Sequence, residues 1–214
     1  MTAAPPPLAL SVSPARVAVV APASRTIELR NAGAATVVID VAGARRWLEI
    51  RPRHAVLRAR ARAVVTLRVR ARAHGDHQLL VLVSARPRAA GRVALRMRLG
   101  VRVRIHDPGR AVRRLELQWL RVHTRQRVRE LLLSVVNRGT VAEQLRRRLT
   151  VTLLRRGRIV SRLRPRALPE LFPGARTVVV LPYFGGVRGP VSALVRVRLG
   201  RARPTVVRRY RLRL

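Results

Sequence analysis

The residues that carry most enzyme chemistry are few and scattered in this chain. Its nine carboxylates stand singly, without the close spacing of a hydrolytic pair or a divalent-cation site. All 47 basic residues are arginine and cysteine is absent, which excludes a phosphate-binding GxxxxGK[ST] loop, a Schiff base and a thiolate nucleophile. The sequence therefore predicts a protein that is not an enzyme and has no cofactor.

One cluster has residue types that bind metals. His74, Asp76 and His77 place two imidazoles and a carboxylate within four residues, and such groups ligate transition metals when further ligands come from elsewhere in the fold. Small and polar residues at this spacing are also typical of a turn that leads into a strand. The sequence favours the turn, so no metal site is predicted.

The positive charge is the strongest chemical feature of the chain. A formal charge of +38 attracts any polyanion, including nucleic acid, anionic lipid head groups and anionic wall polymers. A chain that uses arginine alone and is rich in Ala, Val, Leu, Gly and Pro is also typical of a GC-rich genome. The charge therefore does not show which of these polyanions the protein binds.

Two long runs place the arginines on one side of a β-strand. From Arg92 to Ile105 and from Arg58 to Arg72, arginine and apolar residues alternate, and side chains along a strand point alternately to opposite faces. Each run thus predicts a strand with one buried face and one basic face. The candidate polyanion-binding residues are Arg58, Arg60, Arg62, Arg68, Arg70, Arg72, Arg96, Arg98, Arg102 and Arg104. A solvated strand face without a binding role is the alternative.

Short apolar runs separated by turn residues continue along the whole chain, which indicates an all-β fold. The motif at 106–109, HDPG, interrupts the pattern, and the halves on either side share a strand that runs into Asn-x-Gly, at Asn31 and at Asn137. We predict two tandem immunoglobulin-like antiparallel β-sandwich domains at 8–107 and 108–214, after a Pro/Ala-rich segment at 1–7. Chance similarity between two sandwiches is the alternative to a duplication.

Four residues are candidates for binding a protein partner. Tyr183 and Phe184 lie in a Pro/Gly-rich segment, where exposed aromatic side chains recognise ligands; a turn that closes over the edge of the core is the alternative. Leu95 and Leu99 belong to the alternating run that ends the first domain. Trp47 and Trp119, one in each domain, are expected in the cores, although exposed anchors for a glycan or peptide are the alternative.

The segments at 10–33, 75–85 and 91–105 resemble the first domain of bacterial envelope proteins of the WxL-interacting, peptidoglycan-binding type. VVNRGTV at 135–141 and LFPGARTVVV at 171–180 resemble the second domain of that family. The resemblance implies that the first domain binds peptidoglycan and the second binds a protein.

A weaker resemblance is to the periplasmic pilus-assembly chaperones, which also have two immunoglobulin-like domains. Their first domain ends in an alternating apolar strand that is donated to a pilin subunit, and the run from Val93 to Val103 fits that role. Those chaperones hold the subunit's terminal carboxylate with an arginine and a lysine, and this chain has no lysine.

Three functions follow from these observations. The main hypothesis is a non-catalytic protein of the cell envelope or cell exterior that binds an anionic wall polymer or a protein partner through sheet faces and loops. The second is a periplasmic assembly factor that acts by β-strand donation. The third is a cytosolic polyanion binder. The start of the sequence shows no complete signal peptide, so the first two hypotheses expect an upstream leader, and the third expects Met1 to be the true start.

Overall fold

The computed structural model describes residues 8–43, 45–70, 74–88, 95–125, 128–165, 168, 170–199 and 203–214. These residues form sixteen β-strands in four sheets, and none of them belongs to a helix that could cross a membrane. The chain divides into two compact units between Gly109 and Arg110. The predicted fold class is confirmed: the protein is all-β, with two tandem immunoglobulin-like sandwiches.

The first unit contains strands β1 to β9, in a four-stranded sheet of order β1-β3-β7-β5 and a five-stranded sheet of order β2-β9-β8-β4-β6. Every described strand pair is antiparallel except β2 with β9, which are parallel. The strands are β1 (Leu10–Ser13), β2 (Arg16–Val20), β3 (Ala23–Asn31), β4 (Val37–Ala42), β5 (Leu48–Arg51), β6 (His54–Leu57), β7 (Arg62–Val69), β8 (Gly75–Pro87) and β9 (Met97–Asp107).

The second unit contains strands β10 to β16, in a three-stranded sheet of order β10-β11-β14 and a four-stranded sheet of order β13-β12-β15-β16. All of its described strand pairs are antiparallel. The strands are β10 (Leu115–Arg125), β11 (Val128–Asn137), β12 (Leu149–Arg155), β13 (Arg158–Leu163), β14 (Arg176–Tyr183), β15 (Pro190–Leu199) and β16 (Arg203–Arg213).

Each unit has its own aliphatic core, built from alternate residues of its strands. In β9 the residues Val101, Val103 and Ile105 are fully buried, while the arginines between them are exposed. In β15 the same period buries Ala193, Val195 and Val197. Burial of these faces against the opposite sheet is the main force that stabilises each sandwich.

A buried asparagine closes the same turn in both units. The Nδ2 of Asn31 donates to the carbonyls of Ala35, at 2.8 Å, and Arg58, at 2.9 Å, and its Oδ1 accepts from the backbone N–H of Gly33. Asn137 repeats the pattern with the carbonyls of Val141 and Leu171, both at 2.8 Å, and the N–H of Gly139. The Asn-x-Gly similarity in the sequence therefore reflects one structural element that occurs twice.

The predicted alternation from Arg58 to Arg72 is wrong at its beginning. His54–Leu57 forms β6, which pairs with β4 in the five-stranded sheet, whereas β7 starts at Arg62 in the other sheet. The chain must turn between the two sheets, so Arg58 and Arg60 lie in that turn, and Arg60 has a φ of 62°. Arg72 lies outside the described residues.

Candidate partner-binding edge

The N-terminal strand segment of the first unit changes sheets at Pro14. Before this residue, β1 pairs with β3 over Leu10–Ser13, and after it β2 pairs with β9 over Arg16–Val20. Proline has no N–H with which to continue a ladder, so a strand tends to end there. The change of sheet leaves β1 and β9 as neighbouring strands of opposite sheets.

This change leaves the first half of β9 with a free edge. β2 covers β9 only from Arg102 to His106, and its first hydrogen bond runs from the N–H of Arg102 to the carbonyl of Ala15. Within the described part of the chain, Met97–Val101 pair with β8 on one side and with no strand on the other. Because backbone groups alternate along a strand, the N–H and C=O of Arg98 and Gly100 point to this edge.

The apolar side chains beside this edge become more exposed towards the start of β9. Val101 is fully buried, Leu99 and Met97 are half-buried against the core, and Leu95 is 46% exposed. The apolar inner face of the five-stranded sheet is therefore partly accessible near the start of β9. A free backbone edge next to open apolar positions is what an added β-strand requires, because the edge supplies hydrogen bonds and the positions supply side-chain contacts.

The arginines of β9 project to the opposite, outer face of the five-stranded sheet. Arg98, Arg102 and Arg104 are all exposed, and Arg102 lies opposite Arg16 of β2 in the ladder. Arg96 precedes β9 and is exposed as well. The four positions were predicted as a basic face, and the structure places the three that lie in β9 on one. Their use in polyanion binding stays a prediction.

The arginines around β7 lie beside carboxylates of the same sheet. Arg62 Nη1 is 3.4 Å from the Oε1 of Glu28, and Arg70 Nη2 is 3.1 Å from the Oε2 of Glu49. The hydrogen bond from Arg70 holds the pKa of Glu49 below its ordinary value of 4.5. Arg68 is exposed and lies opposite Glu49 in the ladder. Neighbouring carboxylates reduce the attraction of this face for a polyanion.

The prediction that Tyr183 is exposed is wrong. Tyr183 is 3% exposed and its hydroxyl oxygen accepts a hydrogen bond from the N–H of Val187 at 3.2 Å. It shares the inward side of β14 with Val179 and Leu181, because side chains two residues apart in a strand point to the same face. Phe184 follows the end of that strand and is 74% exposed, so only this ring is available for contact with a partner.

The histidines at 74 and 77 take structural positions. The N–H of His74 donates to the Asp107 carboxylate at 2.8 Å, and Asp76 Oδ1 lies 2.5 Å from His106 Nδ1. The ring of His77 lies 4.8 Å from that of Trp47. Within the described ranges, no group of three metal-binding side chains is arranged to hold an ion.

The two tryptophans differ in their surroundings. Trp47 packs against the core of the first unit. Trp119 lies at the bulge between Leu117 and Leu120 of β10 and is partly exposed, with the Arg121 guanidinium 5.0 Å from its ring. The extra residue of a bulge changes which side chains point outward, so the expectation of a core position is wrong for Trp119.

Comparison with solved structures finds chaperones of similar fold, two of them connected with fimbriae by their descriptions. The class 5 fimbriae chaperone CfaA has 9% identity and a TM-score of 0.53, with 94% of this chain and 98% of that chain covered. A chain of a chaperone–tip adhesin complex of CFA/I fimbriae biogenesis has 10% identity, the same coverage and a TM-score of 0.53. The YadV chaperone has 13% identity, a TM-score of 0.50 and coverage of 95% of this chain and 99% of that one.

No family model and no curated protein matches the sequence. The resemblance to the WxL-interacting, peptidoglycan-binding family therefore gains no support, whereas the weaker resemblance to pilus-assembly chaperones agrees with the solved structures. At 9–13% identity, these similarities establish the fold.

Proposed function

We propose that the protein is a non-catalytic assembly chaperone of the bacterial cell envelope, which binds a protein subunit by β-strand addition along the free edge of β9. The single observation that carries this proposal is the unpaired edge of Met97–Val101 beside the open apolar positions of Leu95, Met97 and Leu99. The fold supports it, because the similar structures are of fimbrial chaperones and one of them was solved in a complex with a tip adhesin.

The chemistry of the edge favours an extended polypeptide as the partner. An incoming strand would pair with the backbone groups of Arg98 and Gly100 and place alternate apolar side chains against Leu95, Met97 and Leu99. The neighbouring strand β1 is the edge strand of the opposite, four-stranded sheet. The incoming strand would therefore bind between the free edges of the two sheets. Binding through main-chain hydrogen bonds requires no catalytic group.

This proposal replaces wall-polymer binding as the main function. Arg62 and Arg70 lie beside Glu28 and Glu49, which reduces the attraction of this face for an anionic wall polymer. The envelope location follows from the function proposed, since subunits that assemble on the cell surface are bound after export.

The test compares Leu95→Glu with Leu80→Glu in protein purified from the envelope fraction of the native organism. Both side chains are about half exposed, at 46% and 53%, but Leu80 lies on the outer face of β8. We expect Leu95→Glu to lose the co-purifying subunit at least tenfold while its thermal midpoint is unchanged, because a carboxylate opposes burial against an apolar strand. Equal retention in the two variants would contradict the proposal.

A further inference from the structure

The outer face of the four-stranded sheet in the second unit differs in charge from the other three sheets. Its strands β12, β13, β15 and β16 contain no Asp or Glu. The other sheets all have carboxylates close to their basic side chains, for example Glu49 with Arg70, Asp40 with His54 and Glu116 with Arg138. The charge of this one face is therefore not offset within its own sheet.

The register of the strands brings its arginines to one side. Leu194 lies opposite Arg209 and Ser192 lies opposite Arg211, while Arg196 lies opposite Val207. The residues between them, Ala193, Val195 and Val197, are buried. The outward arginines, which we call the basic face, are Arg162, Arg196, Arg198, Arg209, Arg211 and Arg213, and all are exposed.

Aliphatic side chains and a cavity accompany these charges. Ile159 is 53% exposed and Val207 is 52% exposed, and both lie on strands of the basic face. A cavity of about 360 Å³ is lined by Arg156, Arg209, Arg211 and Ser192, among other residues. Guanidinium groups that converge with a hydroxyl bind phosphate oxygens by charge-assisted hydrogen bonds.

We propose that the basic face docks onto an anionic lipid bilayer, with a headgroup phosphate in the cavity at Arg209 and Arg211. Exposed aliphatic side chains among arginines suit the boundary between headgroups and acyl chains, where both are stabilised. A nucleic-acid surface is less well matched, because the only aromatic residue in these four strands is Tyr210. Tyr210 packs against the core and offers no base-stacking platform. This inference is independent of the proposed function.

The test measures co-sedimentation of the full chain with vesicles of phosphatidylcholine alone and with vesicles that also contain phosphatidylglycerol. The variant Arg196→Gln/Arg209→Gln/Arg211→Gln is compared with Arg30→Gln/Arg62→Gln/Arg68→Gln, which removes the same charge from the first unit. Each arginine near an anionic surface contributes roughly a fivefold preference, so the first variant should bind phosphatidylglycerol vesicles about 100-fold more weakly. The control should retain most of its binding.

A second pair of variants tests whether vesicle binding depends on the basic face rather than on the net charge of the chain. Val207→Asp should weaken vesicle binding more than Val64→Asp, since both side chains are about half exposed but only Val207 lies on the basic face. An equal loss in both triple variants, or full binding by the basic-face variant, would overturn the proposal. So would a basic-face-dependent affinity for a DNA oligonucleotide with no binding to phosphatidylglycerol vesicles, which would identify nucleic acid as the ligand.

Discussion

Replacing Asn31 with alanine should destabilise the first unit by about 3 kcal/mol. The asparagine side chain is fully buried and makes three short hydrogen bonds, to the carbonyls of Ala35 and Arg58 and from the N–H of Gly33, at 2.8, 2.9 and 3.0 Å. A longer one runs to the carbonyl of Leu57 at 3.2 Å. Each such bond contributes about 1 kcal/mol net, and buried groups left without a partner add to the loss. Domains are stable by only about 5–15 kcal/mol, so the effect is easily measured.

The second unit provides a matched experiment. Asn137→Ala removes three bonds of similar length, at 2.8, 2.8 and 2.9 Å, so it should destabilise its own unit by the same amount. Asn31→Asp should destabilise the first unit more than Asn31→Ala does. The aspartate retains the acceptor for the N–H of Gly33, but it places a carboxylate oxygen against the carbonyls of Ala35 and Arg58.

The assay is urea unfolding followed by tryptophan fluorescence. Each unit has one tryptophan, Trp47 or Trp119, so the variants Trp119→Phe and Trp47→Phe report on the first and second unit respectively. Asn31→Ala should move the transition of Trp47 and leave that of Trp119 in place, with no change in the slope against urea. A loss below about 1 kcal/mol would refute the view that these asparagines stabilise the turns.

Two further predictions concern ion pairs. Glu143 is buried, with Arg113 Nη1 at 2.7 Å and Arg148 Nη1 at 3.6 Å, so Arg113→Ala should cost the second unit about 3 kcal/mol in the same urea assay, because it leaves a buried carboxylate without its closer partner. A loss below about 1 kcal/mol would contradict the buried pair. The hydrogen bond from Arg70 lowers the pKa of Glu49 from 4.5, so the first unit should lose stability as the pH falls below that value. Arg70→Gln should flatten this dependence in a pH series of thermal midpoints, and an unchanged slope would show that the pair contributes nothing.

The sequence is most informative where the structure depends on alternation. The period of two in β9 correctly predicts that Val101, Val103 and Ile105 are buried, because neighbouring side chains of a strand face different environments. Tyr183 could not be placed in this way, since its burial depends on where β14 ends within a Pro/Gly-rich segment. Arg58 and Arg60 were wrongly predicted to lie in one strand with Arg62, because β6 lies in a different sheet from β7. Pairing between strands that are far apart in the sequence leaves no local signal.

The candidate site was only partly predictable for the same reason. Leu95 and Leu99 follow from the apolar alternation, but the free edge exists because β2 covers only Arg102–His106, which is a long-range pairing. The acid-free strands of the basic face were visible in the sequence. Their significance depends on the register that brings Arg196, Arg209 and Arg211 to one surface.

Amide hydrogen exchange of β9 tests the proposed strand addition most directly. In the free protein, the amides of Arg98 and Gly100 point to the open edge and should exchange quickly, whereas those of Leu99 and Val101 pair with β8 and should be protected. In the complex with the co-purified subunit, Arg98 and Gly100 should become protected as well. Rapid exchange of these two amides in the complex would contradict β-strand addition at this edge, and so would protection already present in the free chain.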